Sequence, residues 1–197
     1  MIAAESTGAD QARFRVLMVC TANQCRSAMA EHLLRDAGSA LGLDWVVESA
    51  GVQARDGQSM HRSAARLLSE QSIDVDGWAT RRLTRAMIED ADLVLTAAAE
   101  HRRAVVMLDP GAASKTFILL QFARFAALAG PIPIDDSAKV GVTLLDRIAQ
   151  VRGELQPVGP DEDDIPDPIG KPTRAFNACF SQVQAAIESV LTPVRAT

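Results

Sequence analysis

The sequence predicts an α/β domain: a four-stranded parallel sheet flanked by helices on both faces, with a phosphate-binding loop after the first strand. Three observations predict it. Short apolar runs of strand length alternate with stretches whose apolar residues recur at helical spacing, the pattern of β-α units. The 197 residues fit one domain, and 48% apolar content is ample for a core. The first apolar run also ends in a short loop that opens a helix, at the carboxyl end of a strand, where open parallel sheets bind ligands.

The elements follow in order. Residues 1–12 are small and polar, lack the basic-then-apolar layout of a signal peptide, and are expected to form a disordered tail, which leaves 13–197 as one domain. Residues 14–19 form the first strand. Residues 28–38 form a helix with Met29, Ala30, Leu33, Leu34 and Ala37 on one face, stopped at Gly38. Residues 43–48 read as the second strand, and Ser59 as the cap of a helix with the stripe Met60, Ala64, Leu67 and Leu68. Residues 73–82 are loop-like, Thr84 caps a short helical turn, and 92–96 is the third strand. A helix over 97–108 is stopped by Asp109-Pro110-Gly111, and 115–120 is the fourth strand. Residues 121–166 read as an insertion beside the mouth of the site, fit for a lid or partner surface. It holds helices over 121–128 and 142–151, breaks at Pro131 and Pro133, and a solvated acidic run, Asp161-Glu162-Asp163-Asp164. Pro172 suits the first turn of a final helix whose stripe is Phe176, Cys179, Phe180, Val183, Ile187 and Val190, which makes Cys179 a core residue.

Composition narrows function. A net charge of −5 gives no electrostatic case for nucleic acid or an anionic membrane. No apolar run reaches the roughly 18 residues of a membrane span. Three cysteines are no disulfide framework. His32, His61 and His101 stand singly, without metal-ligand spacing, and read as structural or surface residues. The expectation is a cytoplasmic protein that needs neither metal nor cofactor.

Chemistry concentrates in Cys20-Thr21-Ala22-Asn23-Gln24-Cys25-Arg26-Ser27. Cys20 stands where a buried strand ends, and Arg26 where a helix begins. A loop between them can turn its backbone N–H groups inward and hold an oxyanion at the helix N terminus. The same setting favours the thiolate, the nucleophilic form of Cys20. Arg26 can fork two hydrogen bonds onto a phosphoryl group. The pattern suggests attack of sulfur on phosphorus to give a phosphocysteine, with phosphate bound by Arg26 and the backbone of residues 21–26. Ser27 can hydrogen-bond the sulfur, and Asn23 can hold the loop's shape.

Residues 19–31, Val-Cys-Thr-Ala-Asn-Gln-Cys-Arg-Ser-Ala-Met-Ala-Glu, resemble the signature of the low-molecular-weight protein tyrosine phosphatases. Ser49-Ala50-Gly51 resembles that family's second motif, residues 91–95 its third strand, and Asp167-Pro168 the pair that carries its general acid; the matches span 14–190 in the right order. The resemblance implies that Asp167 protonates the leaving oxygen and then activates water. It implies that Ser49 supports the loop through Asn23 and Ser27, and that Cys20 and Cys25 can pair on oxidation. The implied substrate is a phosphorylated protein or a small phosphomonoester. Two features depart from the family. The aromatic walls of its phosphotyrosine slot are missing: the matching stretches read Val52-Gln53-Ala54-Arg55-Asp56-Gly57 and Ile169-Gly170-Lys171, and the chain has no tyrosine. Trp78, by its spacing from Thr84, falls where many members carry a histidine. Two alternatives accompany the phosphatase reading. One is a thiol-dependent arsenate reductase, opposed by the lack of a redox cysteine pair beyond the third strand. The other is a catalytically weak phosphate-binding regulatory module.

Overall fold

The structure is a computed structural model and describes residues 13–153, 158–159 and 161–195. The expected tail, 1–12, lies outside the described residues. The elements run β1 (Arg15–Cys20), α1 (Arg26–Ala40), β2 (Val46–Gly51), α2 (Arg62–Ser69), α3 (Arg85–Asp90), β3 (Leu93–Thr96), α4 (Ala99–Leu108), β4 (Thr116–Ile118), α5 (Leu119–Ala126), β5 (Ile132–Pro133), α6 (Ser137–Val151), α7 (Thr173–Leu191) and β6 (Val194–Arg195). The fold is α/β. Its four-stranded sheet has the order β2-β1-β3-β4 and is parallel throughout. The short strands β5 and β6 pair separately, also in parallel.

β1 sits inside the sheet and is buried on both faces, which is why its sequence is a continuous apolar run rather than an alternating one. Val16 and Met18 join a large core with α1, α2, α5 and α7. Leu17 and Val19 point the other way, into a smaller core with Ile88 of α3 and Val105 of α4. The six apolar positions read from the final helix are all buried.

Several boundaries differ from the sequence reading. β2 begins three residues later than expected, because its parallel register with β1 sets Arg15 opposite Val46 and Cys20 opposite Gly51. α1 runs through Gly38 and turns only at Gly42, whose φ of 78° suits a residue without a side chain. His61, not Ser59, caps α2, accepting the Ser63 N–H at Nδ1. The fourth strand is confined to 116–118, since Leu119 already opens α5.

Within 121–166, α6 starts at Ser137 and contributes Val140, Leu144 and Ile148 to the large core. Ser137 accepts Asp44 N–H (2.6 Å) and the Trp45 indole N–H (3.0 Å). A Cβ at Gly141 would fall 2.3–2.4 Å from the Phe14 ring, so only glycine lets the helix rest there. Phe14 and Trp45 precede β1 and β2, so this contact of α6 lies at the end of the sheet opposite Cys20. The acidic run is not simply solvated. Asp163 is buried and takes both Nε (3.1 Å) and Nη2 (2.8 Å) of Arg124. Asp164 accepts the Ala99 N–H (2.7 Å) at the start of α4, and Ile165 N–H bonds the Ala97 carbonyl (2.8 Å). These contacts dock the chain before Asp167 onto the carboxyl end of β3.

Candidate active site

The loop between β1 and α1 is held from outside by its carbonyls. Cys20 O accepts Val52 N–H (2.9 Å), Thr21 O accepts Gln53 N–H (2.9 Å) and Gln24 O accepts His61 N–H (3.0 Å). Asn23 is left-handed, with φ 58°, a conformation asparagine tolerates better than most residues. Its amide Nδ2 donates to Ser27 Oγ (2.9 Å) and Ser49 Oγ (2.7 Å), and its Oδ1 accepts Arg81 N–H (2.8 Å). Behind the loop stands Gly51. A Cβ there would lie 2.6 Å from Thr21 O, 2.7 Å from Asn23 N and 2.9 Å from Ala22 C, so the loop's shape requires glycine at that position.

Ser27 Oγ lies 2.9 Å from Cys20 Sγ. Because Asn23 donates to the serine oxygen, the hydroxyl hydrogen is free for the sulfur or for the Ala50 carbonyl at 3.4 Å. Ser49 in turn donates to Oε2 of Glu31, a carboxylate only 3% exposed. The same oxygen accepts the Trp78 indole N–H (2.9 Å), and Arg35 pairs with Oε1. The Trp78 indole thus supplies a donor to this network. The sequence reading gave Glu31 no role, although it closes the 19–31 signature; its four-residue spacing from Ser27 puts both on one helix face.

Arg26 is 5% exposed and well anchored. Nη1 donates to Ile165 O (3.2 Å), while Nη2 donates to Thr21 Oγ1 (3.1 Å) and to Asp167 Oδ2. Asp167 Oδ1 also accepts Ile169 N–H (2.9 Å). Two residues 141 apart in sequence thus meet because the docked 163–165 stretch delivers Asp167 to the mouth of the loop. His101, read in the sequence as structural or surface, is fully buried with Nε2 2.8 Å from Thr21 Oγ1. Burial, aided by the Arg26 charge, lowers its pKa to about 4, so the ring is neutral at physiological pH.

All three cysteines are free thiols. Burial, with the neighbouring Cys20 adding to it, pushes the Cys25 thiol far up; burial pushes Cys179 to about 12. Both are therefore thiols at neutral pH. Trp45 packs on Phe14, with ring centroids 5.0 Å apart, and Trp78 is engaged with Glu31, so neither supplies a wall to the mouth. The positions after the second strand and after Asp167 present Gln53, Asp56 and Ile169 to solvent.

A family model described as low molecular weight phosphotyrosine protein phosphatase matches residues 15–150. The chain belongs to the low molecular weight phosphotyrosine protein phosphatase family. It is a cysteine-dependent phosphatase of the hydrolase class. The matched stretch contains the loop, Ser49 and Trp78 but ends before Asp167. Among curated relatives, a protein-arginine-phosphatase of Geobacillus stearothermophilus is 34% identical over 144 residues, 70% of this chain and 95% of the relative. The low molecular weight protein-tyrosine-phosphatase Etp of Escherichia coli K12 is 31% identical over 116 residues, 59% of this chain and 76% of the relative. A solved low molecular weight protein tyrosine phosphatase from T. tengcongensis aligns with a TM-score of 0.68 at 28% identity, covering 91% of this chain and 98% of that one. No helix among the described residues is long and apolar enough to cross a membrane.

Proposed function

We propose that Cys20 is the nucleophile of a two-step phosphoryl transfer. Its thiolate attacks phosphorus and forms the S–P bond as the bond to the leaving group breaks; Asp167, as the acid, gives the leaving atom its proton. Asp167, now a carboxylate, takes a proton from water, whose oxygen attacks phosphocysteine and releases inorganic phosphate and the Cys20 thiolate. The observation that carries this reading is the convergence on one loop of Cys20 Sγ, Ser27 Oγ at 2.9 Å, and Arg26 with Asp167 on its outer edge. Ser27 stabilises the sulfur anion, and Asn23, Ser49 and Ser27 hold the loop.

Arg26 has five N–H donors in a fixed fork. Ile165 and Thr21 hold one edge through Nη1 and Nη2. An incoming phosphoryl oxygen takes the Nη2 hydrogen now given to Asp167, which completes a fork with Nε. That exchange frees the aspartate from the ion pair, so that it takes up a proton from solvent and carries it to the leaving group.

The substrate in this reading is a phosphorylated protein side chain, as the names of the tyrosine- and arginine-phosphatase relatives suggest. Without aromatic walls, phosphotyrosine preference is modest. Phosphoarginine is a second reading, favoured by the Geobacillus protein-arginine-phosphatase, 95% of which this chain covers. There Asp167 would protonate the guanidine nitrogen as the P–N bond breaks. A chemistry that needs Cys20 reduced fits a cytoplasmic setting. The test uses p-nitrophenyl phosphate and alkyl phosphates. C20S abolishes turnover while still binding phosphate, since the cradle is mostly backbone. D167A slows turnover by about 10²–10⁴-fold, most for poor leaving groups. Full activity in C20S, or an unchanged rate of D167A on an alkyl phosphate, overturns the assignment.

A further inference from the structure

We propose that His101 is a positioning residue that fixes the phosphate-binding arginine from behind, through the Thr21 hydroxyl. The inference rests on the phosphatase reading above and concerns a group which that reading leaves unused.

His101 Nε2 donates or accepts according to the ring's tautomer, and the proposal assigns it as the acceptor. Arg26 Nη2 can only donate, so Thr21 Oγ1 accepts from it at 3.1 Å. In the proposed arrangement the threonine's own hydrogen goes to His101 Nε2, 2.8 Å away. Nε2 accepts only if the ring is neutral and carries its proton on Nδ1. The surroundings keep it so: burial and the Arg26 charge disfavour imidazolium, outweighing Asp164 and Asp167 nearby. Glu100 approaches Nε2 at 3.4 Å, but its side chain is 69% exposed and the contact is longer than that to Thr21. The resulting chain runs from Arg26 to Thr21 to His101, each donating to the next.

The cost of this arrangement points to its use. His101 Nδ1 is buried with no partner among the described residues. An unsatisfied buried polar atom is destabilising, and a leucine of similar bulk would avoid it. The ring therefore contributes something an apolar side chain cannot, and its shortest polar contact among the described residues is Nε2 to Thr21 Oγ1 at 2.8 Å. By drawing the Thr21 hydrogen away, Nε2 keeps the oxygen's lone pairs facing Arg26 and strengthens it as an acceptor. When the phosphoryl group displaces Asp167 from Nη2, Thr21 and Ile165 are what remain to aim the guanidinium.

The experiment measures kcat and KM for p-nitrophenyl phosphate, the inhibition constant of inorganic phosphate, and Tm, in H101L, H101Q, H101N, T21V and T21V/H101L. Loss of a hydrogen bond to a charged group's partner predicts about a tenfold fall in kcat/KM for H101L and for T21V. The double variant should be no worse than T21V alone, because both act through one chain. H101Q places its amide oxygen near the Nε2 position and should recover most of the loss; H101N is too short and should not. Should H101L fail to fold, the H101Q and H101N pair gives the same contrast. Wild-type kcat/KM in H101L, multiplying losses in the double variant, or equal rates for H101Q and H101N each overturn the proposal. These outcomes are distinct from failure of the phosphatase reading, which an inactive wild type or an active C20S would signal.

Discussion

Gly51→Ala tests how tightly the sheet edge fits the loop between β1 and α1. The added Cβ would sit 2.6 Å from Thr21 O and 2.7 Å from Asn23 N, and these are backbone atoms that no rotamer change can move aside. To reach ordinary contact at 3.4 Å, the loop must retreat by about 0.8 Å. Gly51 is held on its other side by its N–H to Arg81 O (2.9 Å) and by Leu83 N–H to its carbonyl (2.9 Å), so the strand cannot give instead. A misplacement of about 1 Å costs on the order of 10²-fold in rate when reacting groups are prepositioned. The expected result is a fall of about 10²-fold in kcat/KM for p-nitrophenyl phosphate, weaker inhibition by phosphate, and a stability loss of about 1–3 kcal/mol from overpacking. Gly38→Ala is the control: its Cβ meets only Leu43 side-chain atoms at 3.8–3.9 Å, and alanine favours the helix by up to about 1 kcal/mol. It should raise Tm and leave kcat/KM alone. Initial rates, phosphate inhibition and thermal melts of the three proteins decide the matter. Wild-type kcat/KM in Gly51→Ala would refute the argument that the loop's position depends on this glycine.

Glu31→Gln replaces one carboxylate oxygen with a donor amide in a site where Ser49, Trp78 and Arg35 all donate, so it should lower stability by about 1–3 kcal/mol; an unchanged urea midpoint would count against it. Peroxide should convert the Cys20 thiolate to a sulfenic acid, which the Cys25 thiol traps as a disulfide with loss of water. Mass spectrometry should find the peptide holding both cysteines lighter by two hydrogens, with thiols restoring activity in the wild type and much less in Cys25→Ser. Rapid sulfinic acid at wild-type Cys20 without a disulfide contradicts this. Ile169→Tyr adds a ring beside Asp167 and should raise kcat/KM for phosphotyrosine over phosphoserine by about two- to twelvefold, from about 0.5–1.5 kcal/mol per aromatic contact; an unchanged ratio means the wall lies elsewhere.

The sequence by itself determined the elements whose cause is local. The continuous apolar run of β1 and the helical stripe of α7 reflect burial within a few residues and are found as read, and the spacing of Cys20, Asn23 and Ser27 brings Ser27 to both of the others. Boundaries set by a partner were not legible. β2 is placed by its register with β1, and α6 begins at Ser137 because Asp44 and Trp45 meet it there. The acidic run looked solvated because nothing local reveals that Arg124 and the start of α4 take Asp163 and Asp164. Only the tertiary structure decided that Glu31 and His101 belong to the site, since a side chain's partner across tens of residues leaves no periodicity in the chain. The composition of the loop told what chemistry it can do; the packing of distant segments around it decided which groups hold Arg26 and bring Asp167 to its edge.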